Sequence, residues 1–145
     1  MVYAIRANRL AKRTDKSRRV VLTSAQILAL NATPISLLPA PGAGLVNVVT
    51  GVMVTKVAGT AYAGIAAGED LALKYTDASG SVAATVEMTG FADSTAATVA
   101  WAAPAATSFP VANAAIVAHM LTGEITTGDS PFVLRIYYKT IKSAL

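Results

Sequence analysis

His119 is the chain's single histidine, and Asp129 and Ser130 follow shortly after it. These are the residue types of a nucleophilic relay, in which an imidazole takes a hydroxyl proton while a carboxylate orients the ring. Ser130 lacks the flanking glycines of a nucleophile elbow, and closeness along a chain does not fix geometry. Beside Val117, Ala118 and Met120, His119 reads as a hydrogen-bonded packing residue. Glu69, Asp70, Glu124 and Asp129 stand in glycine-containing turns and have the oxygen chemistry of a Ca²⁺ site. No EF-hand spacing joins them, so they read as solvated turn carboxylates. Gly42-x-Gly44 has no third glycine and runs into a valine-rich segment where a dinucleotide loop needs a helix N-terminus. With no cysteine, thiolate metal sites, disulfides and a thiol nucleophile are excluded. The Asn31-Ala32-Thr33 sequon therefore has no secretory context. We expect no catalytic residue, cofactor or metal, and a protein that is not an enzyme.

The chemistry that does stand out is attachment. Arg6, Arg9, Lys12, Arg13, Lys16, Arg18 and Arg19 crowd the first nineteen positions, opposed by Asp15 alone, for a net +6. Residues 20–145 hold five bases against seven acids, a net −2, and together these give the chain's +4. The high isoelectric point thus belongs to the leading segment. A basic block of this kind reaches partners. It has three readings: a tether across an acidic protein neighbour, a phosphate-binding arm, or a solvated terminus. Tyr3 is its only ring, so base stacking is poorly served and nucleic acid is not favoured. Tyr3, Ala7, Leu10 and Ala11 have helical spacing, which would let binding fold part of the arm. Trp101 and Phe109 flank Pro104 and Pro110 in a loop-like stretch and serve either as interface anchors or as core.

What carries these residues is a body short of charge. The chain is 54% apolar and 14% charged, against about 45–50% and 25% for typical domains. Too few charges remain to coat an isolated globule, so a homo-oligomer, dimer or trimer, or a subunit of a larger shell is expected. Residues 20–55 contain no charge, but Asn31, Pro34, Pro39, Pro41, Gly42 and Gly44 break the stretch before a membrane span is reached. The basic start only loosely imitates a signal or transit peptide. The expected division is an arm over residues 1–19 and one domain over residues 20–145.

After the arm, Arg18–Leu22 reads as the start of a strand, and Thr23-Ser24-Ala25-Gln26 has capping-box spacing, predicting a short helix near residues 24–30 that Asn31 and Pro34 end. Residues 39–44 form a turn or rigid loop. Residues 45–57 are apolar on both faces and read as a strand covered on both sides, with Val46, Val48, Val52 and Val54 on one of them and an interruption at Gly51. Alternation over residues 71–76 and 82–89 around Asp77-Ala78-Ser79-Gly80 predicts a hairpin. Residues 91–98 suggest one helical turn capped by Asp93 or Ser94, and residues 114–122 a further strand. In residues 132–141, Phe132, Leu134, Ile136 and Tyr138 face one way and Arg135, Tyr137 and Lys139 the other. The expected class is all-β: a jelly roll or β-sandwich of about eight strands with one short helix and the basic arm.

The strings Leu22-Thr23-Ser24-Ala25-Gln26-Ile27-Leu28-Ala29-Leu30 and Pro39-Ala40-Pro41-Gly42-Ala43-Gly44, with Ala61-Tyr62-Ala63-Gly64, Leu71-Ala72-Leu73-Lys74-Tyr75-Thr76 and Leu121-Thr122-Gly123-Glu124, resemble small virion proteins of tailed bacteriophages. The likeness runs over about residues 21–142 and omits the arm. It implies a structural part of the particle, a capsid decoration or cement protein of jelly-roll type. Major capsid protein or other virion subunits would then be its partners, and the virion, assembled in host cytoplasm, its location. It carries no catalytic residues. A tail or fibre component, and a nucleic-acid-binding protein acting through the arm, are the alternatives.

Overall fold

The computed structural model of the chain describes residues 15–143. It contains β1 (Lys16–Leu22), α1 (Ser24–Leu28), β2 (Ile35–Leu38), β3 (Leu45–Lys56), β4 (Leu71–Tyr75), β5 (Val82–Val86), β6 (Thr98–Ala102), β7 (Ile116–Met120) and β8 (Phe132–Lys142). The strands form two four-stranded antiparallel sheets, ordered β1-β8-β3-β6 and β2-β7-β4-β5. First pairs with last, second with seventh, third with sixth and fourth with fifth. A long hairpin rolled into two layers gives this pairing, so the fold is a jelly roll. No helix among the described residues is long and apolar enough to cross a membrane.

The core lies between the sheets. Leu134, Ile136 and Phe132 of β8, Leu71 and Leu73 of β4, and Ile116 and Met120 of β7 are wholly buried. The alternation of β8 is therefore as expected. The helix is as well: Thr23 Oγ1 accepts from the Gln26 amide at 3.3 Å, while Gln26 Oε1 accepts from the Thr23 amide at 2.9 Å. That reciprocal box seats Ile27 in the core.

Four expectations are corrected. First, β3 does not keep one alternating phase. A register shift between Val49 and Gly51 inserts a residue, so Val49, Val52 and Val54 share the core face, whereas Val46 and Val48 do not continue into it. Gly51 lets the Trp101 ring lie close over the strand: a Cβ would stand 2.5 Å from that ring. Every residue of β3 is buried or half-buried, as expected of a strand covered on both sides, and Val57 just beyond it is exposed. Second, β2 forms between Pro34 and Pro39, where no strand was expected, and places Leu37 and Leu38 in the core. Third, residues 98–102 are strand β6 rather than loop, held by β3 alone within its sheet. Fourth, the turn after β5 precedes Asp93 instead of following it. The Ala92 amide bonds the Met88 carbonyl at 2.8 Å, and Asp93 Oδ1 accepts from the Gly90 amide at 2.6 Å.

The expected arm over residues 1–19 overlaps the first strand, which begins at Lys16. Lys16, Arg18 and Arg19 sit in β1, paired to Tyr138, Ile136 and Arg135. Arg6, Arg9, Lys12 and Arg13 lie outside the described residues.

Candidate functional site

The jelly-roll wrap gathers the loops over residues 23–34, 57–70, 87–97 and 121–131 at one end of the sandwich. Six of the chain's eight carboxylates are there: Glu69, Asp70, Glu87, Asp93, Glu124 and Asp129. Each accepts backbone amides. Glu69, 4% exposed, accepts from the Thr122 and Gly123 amides at 3.3 and 2.9 Å and from the Thr122 hydroxyl. Glu124 takes the Asn31 and Ala32 amides at 3.3 and 2.9 Å. Asp129 takes the Thr60 amide and hydroxyl at 2.8 and 2.9 Å. Asp70 takes the Met88 amide at 3.2 Å, and Glu87 the Thr89 amide at 3.0 Å. The expected solvated turn carboxylates are instead ties, several of them linking one loop to another. Among the described residues, no group of three His, Asp or Glu is placed to hold a metal ion.

The electrostatics follow from those bonds. Hydrogen bonds from Thr60 hold the Asp129 carboxyl below its usual range, and bonds from Thr89 do so for Glu87. Burial, with Glu87 and Glu69 nearby, raises Asp70. Tyr62, whose hydroxyl donates to the Ser130 carbonyl at 2.6 Å, is pushed up to about 12 by burial and then by Asp129. Lys56 is 2% exposed and closes the same end without a carboxylate: its ammonium donates to the Ser94 and Ala96 carbonyls at 2.6 and 3.2 Å.

His119 is 8% exposed, on β7 opposite Ala72, and its Nδ1 has no hydrogen-bond partner. Desolvation first, then Lys74, lowers its pKa, against smaller opposing effects of the Asn31 backbone, Glu124 and Glu69. Ser130 Oγ donates to Asp129 Oδ1 at 3.4 Å, and Thr60 holds both carboxylate oxygens. These bonds leave the relay types His119, Asp129 and Ser130 unlinked as a relay.

The other functional candidates meet on the outer face of the first sheet. Cross-strand register puts Arg19 opposite Arg135, Arg135 opposite Met53, and Met53 opposite Trp101, a single row across four strands. The next row is Val21, Val133, Thr55 and Val99. Trp101 is 61% exposed and Val99 67%. The Trp101 and Tyr137 rings are 5.6 Å apart at 54°, over the bulge at Gly51. Trp101 is therefore outside the core. Phe109, in the 103–115 loop, is exposed as well.

Arg19 and Arg135 are exposed on this face, and Lys139, of the same alternation, pairs with Asp15 at 3.3 Å. Lys16 and Arg18 alternate to the other side of β1, opposite Tyr138 and Ile136, where Lys16 donates to Thr140 Oγ1 at 3.1 Å and sits 6.0 Å from the Tyr138 ring centroid. The outward alternation of Arg135 and Tyr137 was visible in the sequence. Their meeting with Arg19, Met53 and Trp101 was not, because it depends on pairing between distant strands.

Comparison with models of protein families, with curated proteins and with solved structures returned no match.

Proposed function

We propose that this chain is a structural virion protein of a tailed bacteriophage that decorates or cements the capsid by binding major capsid subunits. The observation that carries the reading is the exposed apolar and arginine-bearing sheet face beside the strand that continues the basic segment. A module with loops tied to one another and a charge-poor body presents a preformed surface, so attachment loses little conformational freedom. The leading bases add a second grip and raise effective concentration at the shell. Exposed ion pairs contribute only about 0.2–1 kcal/mol each, so several must act together. Association as a closed dimer or trimer would multiply the grip. The resemblance of the strings around residues 22–30 and 71–76 to phage virion proteins supports the same reading.

The test mixes purified protein with shells assembled without it and follows co-sedimentation and heat resistance of the particle. Co-sedimentation with raised heat resistance is expected; shells that sediment alone reject the reading. Immunogold labelling of complete virions then separates a head position from a tail or fibre position.

A further inference from the structure

We infer that the outer face of the β1-β8-β3-β6 sheet is the docking surface, and that it takes an acidic protein surface with an apolar centre. A partner carboxylate would lie between Arg19 and Arg135 and an apolar partner side chain against Trp101. The inference rests on the proposed attachment to a shell and names the surface that makes it.

The row Arg19, Arg135, Met53, Trp101 supplies the chemistry. Like charges directly opposite one another on neighbouring strands oppose folding. Arg19 and Arg135 stand so, and neither forms an ion pair among the described residues, where Lys139 pairs with Asp15. A carboxylate accepted by both guanidinium groups removes that repulsion and gains charge-assisted hydrogen bonds. With strands about 4.8 Å apart, Trp101 on β6 lies about 14 Å from Arg19 on β1. A partner loop or strand crossing the sheet spans that distance in a few residues. Arg, Met, Tyr and Trp are the residue types enriched at protein interfaces, and Trp, Tyr and Arg dominate their hot spots.

Charge decides among possible occupants. A second copy laid face to face brings four arginines into one interface, and neither row contains an acid to pair with them. The chain's own leading segment carries Arg6, Arg9, Lys12 and Arg13 with no acid before Asp15, so it too is repelled by this face. Nucleic acid satisfies the charge but not the surface. Val21, Val133, Val99 and Met53 offer no ring on which a base can stack, which leaves Trp101 with Tyr137 as a single stacking position where a strand of bases needs several. An anionic, apolar-centred protein satisfies both.

Trp101 is the chain's only tryptophan, so its emission reports on this face alone. The full chain is titrated with shells assembled without it, and acrylamide quenching and emission maximum are followed. On binding, quenching should fall several-fold and emission shift to the blue. The double variant Arg19→Glu/Arg135→Glu and the variant Trp101→Ala, each checked for an unchanged circular dichroism spectrum and melting temperature, should weaken shell binding at least about tenfold. The quenching measurement needs no substitution and stands if a variant fails to fold. Shells that bind while Trp101 stays as quenchable as in free protein overturn this surface and leave the attachment reading intact. Shells that do not bind remove both. Protection of Trp101 by oligodeoxythymidylate instead of shells makes the face a nucleic-acid surface and overturns the inference. Protection that grows with protein concentration alone assigns the face to a second copy and does the same.

Discussion

A histidine that burial and Lys74 hold neutral makes the folded state sensitive to mild acid. His119 has a folded pKa below its ordinary value of about 6.5, so between the two values only the unfolded chain binds the extra proton. Stability from this group is complete above about pH 6.5 and is lost as pH falls toward the folded value. Denaturant midpoints should therefore decline from pH 7 to about 5.5, a range above most carboxylate titrations. His119→Gln, which cannot titrate, should flatten that decline; an undiminished slope in the variant would place its origin elsewhere. Gly51 offers a steric counterpart. A methyl group at 51 meets the Trp101 ring at 2.5 Å, so Gly51→Ala must turn the indole off the sheet. Because the ring is largely exposed and can move, the cost should be only about 1 kcal/mol, the low end of overpacking. Near-ultraviolet circular dichroism, dominated by Trp101 beside Tyr137, should change clearly; an unaltered spectrum would contradict the contact.

Elements at the acidic end depend on ties that cross between loops. Glu69 holds the loop after β7 from the loop before β4, so Glu69→Gln replaces an acceptor of three donors by a group that must present one oxygen and one amide. Loss of about 2 kcal/mol is expected by denaturant titration, the range for charged hydrogen bonds at a buried position. A change within error would make the tie incidental. Thr23→Ala removes one half of the capping box and should cost about 1 kcal/mol. The capping box was legible in the sequence because its partners are three residues apart. The faces of β8 were legible because its alternation is unbroken from Phe132 to Tyr138. β2 and β6 were not: one is four residues set between prolines, the other an alanine-rich five. Neither carries a periodic signal, and neighbouring strands decide its conformation. The phase of β3 was hidden by the inserted residue at its bulge, since one extra residue exchanges the two faces of everything beyond it. The carboxylate ties and the Arg19–Arg135 pair join residues far apart in sequence, and pairing of that range is set by topology.

Over the whole molecule, charge is separated along the rolled strands. Six carboxylates lie at the loop-tied end, whereas Lys16, Arg18, Arg19, Arg135, Lys139 and Lys142 lie on β1 and β8 with Asp15 as the nearby acid. This arrangement makes the folding boundary and the binding boundary different. The described cross-strand pairs of β1 begin at Lys16, so removing residues 1–14 leaves all of them in place. That truncated protein should melt within a few degrees of the full chain. Removing residues 1–19 also strips the partners of Tyr138, Tyr137, Ile136 and Arg135 and should lower the melting temperature markedly, because each lost ladder hydrogen bond contributes about 1 kcal/mol. Shell binding should respond to the 1–14 deletion although folding does not. The loss of Arg6, Arg9, Lys12 and Arg13 weakens binding and reduces its dependence on salt, as removal of exposed charge does. Binding nevertheless persists through the sheet face, and Trp101 remains protected. Co-sedimentation of the 1–14 deletion across a salt series checks this division. Complete loss of binding at low salt would make the leading segment the whole of the attachment.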